Sequence, residues 1–119
     1  LGSSKLEVTD EKGNKTSYTP KNIILATGAR SRVLPNLPQD GKKIIGYREA
    51  LVLDKLPKKM VVVGSGAIGI EFAYFYNALG TDVTVVEYLD RIVQVEYKDV
   101  SKEMEKSLKK KGIIVMTSS

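Results

Sequence analysis

A chain of 119 residues with 42% hydrophobic content can fill a core, and it holds no apolar run near the roughly 20 residues that a membrane-spanning helix needs. It has neither Cys nor His, which excludes disulfides, thiol chemistry and the commonest general base near neutral pH. The formal net charge is +5, but the densest lysine group, Lys106 and Lys109 to Lys111, lies among Glu103 and Glu105 with no aromatic residue interleaved. That pattern reads as a solvated helix face and not as a nucleic-acid surface, with Glu105 and Lys109 in the stabilising i,i+4 orientation. The summed positive field also favours a phosphate-bearing ligand.

The opening Leu1-Gly2-Ser3-Ser4 lacks a targeting pattern and an initiator Met, so the chain is expected to come from the middle of a longer protein. Residues 5 to 9 and 15 to 19 alternate around the turn-forming Asp10 to Asn14, a hairpin signal. Ile23 to Ala26 is a short apolar run that predicts a buried strand, ended by a tight turn at Thr27-Gly28. Pro35, Pro38 and Gly41 mark residues 31 to 43 as an irregular connection. Residues 47 to 53 can form a short helix before Pro57.

From Met60 the pattern becomes regular. Met60 to Val63 is a continuous apolar strand, as expected where both faces of a sheet are covered. A glycine-rich turn leads into a helix over about Ala67 to Leu79, on which Ile68, Phe72, Phe75 and Leu79 predict a buried stripe. Gly80 sits just past its end, where positive φ is often wanted. Val83 to Val86 is the next strand; Val100, Met104 and Leu108 space a second amphipathic helix closed by Gly112; Ile113 to Thr117 make a third strand. Residues 59 to 117 therefore read β-α-β-α-β. The expected fold class is α/β: a partial Rossmann-type doubly wound parallel sheet in the order 3-2-1, preceded by a hairpin and a strand. The free edge of the Met60 strand is expected to be covered by the hairpin and Ile23 region, by a second copy or by further protein.

Gly64-Ser65-Gly66-Ala67-Ile68-Gly69 matches G-x-G-x-x-G, between a strand and a helix, and Glu87 closes the second strand 18 residues after Gly69. Gly64 permits the sharp turn, Gly66 lets the backbone approach a pyrophosphate, and Gly69 lets the helix pack close to the strand. The free N–H groups of the first helical turn and the helix dipole would hold the phosphates. Glu87 can accept two hydrogen bonds from the adenosine ribose and would repel a 2′-phosphate, which favours NAD over NADP. Tyr88-Leu89-Asp90 offers no basic residue; Arg91 is the first. The alternative is a structural glycine turn in an α/β protein that binds no nucleotide.

The run from Gly64 through Phe72, followed by Leu79 to Glu87, resembles the NAD-domain core of dihydrolipoamide dehydrogenases, members of the pyridine nucleotide-disulfide oxidoreductases. Asn22 to Arg30 resembles the Ala-Thr-Gly segment that ends the first FAD-domain part of those enzymes, with Leu34-Pro35 and Ala50-Leu51 in the crossing segment. The resemblance implies that residues 1 to 46 are the end of an FAD-domain segment and the crossing connection, and 47 to 119 the N-terminal part of an NAD domain. It implies NAD contacts at Gly64, Ser65, Gly66, Ala67, Ile68, Gly69, Glu71, Glu87 and Tyr88, and places Ala26, Thr27 and Gly28 beside FAD. Glu71 would sit near the nicotinamide; its other reading is a solvated carboxylate favoured by the helix dipole. Ala67 is smaller than the gating residue often found there, and Val93 to Tyr97 depart from the usual proline and aspartate. Tyr74, Tyr76 and the phenylalanines read as packing residues.

What the resemblance implies for function is an FAD-dependent oxidoreductase that oxidises dihydrolipoamide and passes electrons to NAD. Its partners would be NAD(H), a lipoamide-bearing multienzyme complex and a second subunit of a homodimer, with no nucleic acid and no membrane, in the cytoplasm or mitochondrial matrix. Without Cys or His the chain itself carries no catalytic residue of that reaction and is expected to be inactive alone. Two alternatives remain: a segment of a sister reductase (mercuric reductase, glutathione reductase or transhydrogenase), and a non-catalytic nucleotide-binding module. No metal site is expected.

Overall fold

The computed structural model describes residues 5 to 119; the opening Leu1-Gly2-Ser3-Ser4, read above for targeting, lies outside them. The chain divides into two compact units, one ending at Arg30 and one beginning at Ser31.

In the first unit, β1 (Leu6–Thr9) pairs antiparallel with β2 (Lys15–Tyr18), Leu6 opposite Tyr18 and Thr9 opposite Lys15. The hairpin signal is borne out, and its turn has a visible cause. The Asp10 carboxylate accepts the Lys12 and Asn14 amides at 2.9 and 2.8 Å and the Asn14 side-chain amide at 3.0 Å, while Gly13 takes positive φ. Those bonds, the Asn14 side chain foremost, hold the Asp10 carboxyl below its ordinary range.

The expected strand at Ile23 to Ala26 does not form: Ile24 and Leu25 are 91% and 81% exposed and the backbone is irregular. A strand is a pairing, and among the described residues no neighbour bonds to this run. Its apolar character is the same in a strand and in an unpaired segment. Gly28 does adopt the left-handed conformation expected of a tight turn.

The second unit opens with the irregular connection, where Asp40 accepts the amides of Lys42, Lys43 and Ile44. It continues through α1 (Tyr47–Ala50), β3 (Lys59–Val63), α2 (Ala67–Ala78), β4 (Asp82–Val86), α3 (Lys98–Lys110) and β5 (Ile114–Met116). The three strands form a parallel sheet in the order β3-β4-β5, Val63 beside Val86 and Val86 beside Met116. The β-α-β-α-β reading and the strand order are borne out. β3 pairs with β4 alone among the described residues.

One core lies between the sheet and the helices. Val83 and Val85 of β4 and Ile113 pack with Ile70, Ala73 and Tyr76 of α2, Leu108 of α3, and Ile92 and Val93. Both crossovers are of one hand, so both helices cover one sheet face. The opposite face carries Val61, Val63, Ile114 and Met116, each about half exposed or more. The expectation that both faces of β3 are covered is therefore corrected.

The α2 stripe is corrected as well. Ile68, Phe75 and Leu79 are each more than half exposed, and Phe72 alone of the four packs against the core. The buried face is Ile70, Ala73 and Tyr76. Gly69 decides this: a Cβ there would stand 2.2 Å from the Gly64 carbonyl oxygen, so the helix approaches the strand most closely at Gly69 and buries the face that continues through Ala73 and Tyr76. Phe75 and Leu79 instead line a shallow apolar groove with Leu51, Leu53 and Leu56. On α3, Leu108 is buried and Met104 half-buried, but Ser101 takes the place expected of Val100, which is 44% exposed. Lys102, Lys106 and Lys109 of α3 lie beside Asp99, Glu103 and Glu105 of their own helix, closest at Lys109 and Glu105, 2.6 Å apart.

Candidate dinucleotide-binding turn

The turn between β3 and α2 and the end of β4 lie at the carboxyl edge of the parallel sheet. A crevice at this edge is where open α/β sheets take their ligands. The Gly64 amide extends the ladder to the Val86 carbonyl at 2.8 Å, and the Glu87 amide reaches the Met116 carbonyl at 2.8 Å. The sheet thus fixes the turn and Glu87 in one register.

The three glycines meet three different demands. Gly64 has φ +97, a conformation that side chains other than glycine rarely adopt. Gly69 has the 2.2 Å obstacle described above. Gly66 has φ −66, open to any residue, and nothing within 4 Å of the position its Cβ would take. No protein atom requires glycine at 66. Room left beside the backbone at a helix start is the form a phosphate cradle takes.

Gly66 is the N-cap of α2, and its carbonyl accepts the Ile70 amide at 3.0 Å. The amides of Ala67, Ile68 and Gly69 precede the first helical hydrogen bond and have no helical acceptor behind them. Ala67 and Ile68 are exposed; Glu71 is exposed one turn further along, and Tyr88 is 84% exposed at the end of β4. Gly64, Ser65, Gly66, Ala67, Ile68, Gly69, Glu87 and Tyr88 share this edge of the sheet. Ala26, Thr27 and Gly28 are exposed in the other unit.

Glu87 is already engaged. Its Oε2 accepts the Ser65 amide at 2.8 Å and the Ser65 hydroxyl, and its Oε1 accepts the Leu89 amide at 2.9 Å. Partial burial pushes the carboxyl pKa up, but the hydrogen bonds from the Ser65 hydroxyl and from the Leu89 and Ser65 amides outweigh it and hold the pKa below the ordinary range. The carboxylate is thus kept ionised. With both acceptor positions of Oε2 filled by Ser65, Oε1 is the oxygen with room for a further donor.

Two features were missed in the sequence. Ser65, expected as an NAD contact, is 2% exposed with its hydroxyl tied to Glu87. The segment after Arg91 folds back on the turn: Ile92 is fully buried, and the Val93 amide donates to the Ser65 carbonyl at 3.1 Å. Val93 has φ +41, a strained conformation for a β-branched residue. The adjacent apolar pair Ile92-Val93 in a polar loop was the available signal; nothing in the spacing marked the Ser65 hydroxyl.

Residues 1–119 match the family described as pyridine nucleotide-disulphide oxidoreductase. Among curated relatives, the chain is 48% identical over 114 residues to a dihydrolipoyl dehydrogenase of Chlorobaculum parvum, covering 96% of this chain and 24% of the relative. It is 53% identical over 108 residues to a dihydrolipoyl dehydrogenase of Rhizobium etli, covering 91% of this chain and 22% of the relative. The chain therefore spans about a quarter of the length of these relatives. Among solved structures it is similar to LpdA of Mycobacterium tuberculosis, with a TM-score of 0.79 and 33% identity over 96% of this chain and 25% of that one. It is also similar to a ferredoxin reductase of Rhodopseudomonas palustris, with a TM-score of 0.73 and 30% identity over 97% of this chain and 29% of that one.

Proposed function

The chain belongs to the pyridine nucleotide-disulphide oxidoreductase family, and from that premise we propose that it is the NAD(H)-binding segment of an FAD-dependent dihydrolipoamide dehydrogenase. The observation that carries the reading is Gly66. Its conformation and surroundings would accept a side chain, so the room beside it serves a group from outside the protein. A pyrophosphate on the amides of the first α2 turn is that group, held by N–H donors and the helix dipole. When bound, NAD supplies the acceptor for a hydride delivered from reduced FAD. This chain's residues bind and orient it. Gly64 and Gly69 set the turn, the open amides of Ala67, Ile68 and Gly69 take phosphate oxygens, and Glu87 takes an adenosine ribose hydroxyl through Oε1. A carboxylate held ionised at that position repels a 2′-phosphate, which favours NAD over NADP.

Residues 1 to 46 are then the end of an FAD-domain segment and the crossing connection, with Ala26, Thr27 and Gly28 beside the flavin, and residues 47 to 119 the first part of the NAD domain. Glu71 faces the nicotinamide end, and Tyr88 lies beside the adenosine. The intact protein would work as a homodimer serving a lipoamide-bearing complex in the cytoplasm or, in a eukaryote, the mitochondrial matrix. The dihydrolipoyl dehydrogenase names of relatives at 48% and 53% identity support this over a sister disulfide reductase or a free-standing nucleotide-binding module. The test is turnover of the full-length protein with dihydrolipoamide and NAD. Oxidised glutathione or mercuric ion reduced at the expense of NADPH, with dihydrolipoamide inert, would replace this reading with a sister reductase.

A further inference from the structure

We propose that Ser65 is a coenzyme-positioning residue: its hydroxyl fixes the Glu87 carboxylate so that one oxygen faces the adenosine ribose, and it thereby sets the preference for NADH over NADPH. The inference rests on the nucleotide reading above.

The Ser65 amide would reach Glu87 with any residue at this position, because a backbone N–H is common to all but proline. The hydroxyl is what serine adds, and it donates to the same Oε2 that accepts the amide. Two donors fill the two acceptor positions of that oxygen and leave the carboxylate no freedom to turn about its end. Oε1 accepts the Leu89 amide and keeps one position open. Ser65 itself is held at three points. Its amide and hydroxyl go to Glu87, and its carbonyl accepts the Val93 amide at 3.1 Å, with Val93 held at φ +41. At 2% exposure the side chain has no competing water.

Two consequences follow for a coenzyme. A carboxylate ordered before binding loses less freedom when a ribose hydroxyl reaches it, so NADH gains. A carboxylate that cannot swing aside keeps its charge against a 2′-phosphate, so NADPH loses. Removing the hydroxyl releases both effects, weakening NADH and relieving NADPH. Had the hydroxyl merely occupied the place of the ribose, its loss would strengthen NADH binding.

The experiment is equilibrium titration of the full-length protein with NADH and with NADPH, for wild type, Ser65→Ala, Glu87→Gln and the double variant. Ser65→Ala should weaken NADH about three- to tenfold, as expected for loss of one hydrogen bond to an ordered group, and tighten NADPH, so that the preference for NADH over NADPH falls. In the Glu87→Gln background the same change should leave the preference where Glu87→Gln put it. Unchanged or tighter NADH binding by Ser65→Ala, or an equal effect with and without Glu87, overturns the proposal. If Ser65→Ala does not fold, Ser65→Gly, which keeps the amide donor, gives the same comparison. Wild type that binds neither coenzyme, or prefers NADPH, defeats the underlying nucleotide reading. Wild type that prefers NADH with an inert Ser65→Ala defeats this inference alone.

Discussion

Gly66 and Gly69 sit three residues apart and look alike in the sequence, yet the structure gives them opposite dependence on the protein. Gly69 carries a packing demand, because a Cβ would meet the Gly64 carbonyl oxygen at 2.2 Å. Gly69→Ala should therefore cost about 1–3 kcal/mol of stability as backbone or helix shifts to make room. Gly66 has φ −66 and open space, so Gly66→Ala should leave stability unchanged or raise it by about 0.4–1 kcal/mol through the unfolded state. Its cost should appear in NADH affinity, where the new methyl stands between the backbone and the pyrophosphate. Urea unfolding and NADH titration of the two variants separate the effects. An alanine at 66 that binds NADH undiminished would show that no phosphate approaches that backbone.

At the scale of the element, α2 shows where sequence reading succeeds and where it stops. The helix, its start after Gly66 and its end before Gly80 were legible, because glycines and apolar spacing mark them. The buried face differs from the expected one, because counting large apolar residues selects Ile68, Phe75 and Leu79, while close approach to the strand at Gly69 turns the neighbouring face, Ile70, Ala73 and Tyr76, inward. The third glycine already held that information: a helix pressed against β3 at Gly69 must bury Ala73, four residues on, and Tyr76 after it. Tyr76 brings its hydroxyl to the Ala50 carbonyl, a bond between α1 and α2 that no periodicity announces. Ala73→Leu should then cost about 1–3 kcal/mol by overpacking a fully buried position. Phe75→Ala should cost less, since that ring is 52% exposed. Thermal unfolding of the pair decides, and the reverse order would return the core to the Phe75 face. The Ile23 run failed for a different reason, since an apolar tetrapeptide states no partner. In the site, the glycine turn and Glu87 were legible from the motif. The Ser65 hydroxyl and the Val93 return were not, because both are contacts between segments that local spacing does not encode.

At the scale of the whole protein, the residue types present divide the work. The chain holds no Cys and no His, so under the proposed function the dithiol, its exchange and its proton transfer depend on residues elsewhere. On the same proposal the nucleotide turn enters only at the last transfer, from flavin to NAD. Full-length protein carrying Gly66→Ala or Glu87→Gln should therefore keep the rate at which dihydrolipoamide bleaches the flavin absorbance when NAD is withheld under anaerobic conditions. The same variants should raise KM for NAD in steady turnover, Gly66→Ala by loss of phosphate contact and Glu87→Gln by loss of a charged ribose acceptor worth about 1.5–3 kcal/mol, near tenfold or more in affinity. Stopped-flow absorbance for the first measurement and initial rates against NAD for the second make the division visible. Slowing of flavin reduction by either variant, with no coenzyme present, would mean that this turn also reaches the dithiol half of the reaction, and the separation of roles between coenzyme segment and catalytic segment would have to be abandoned.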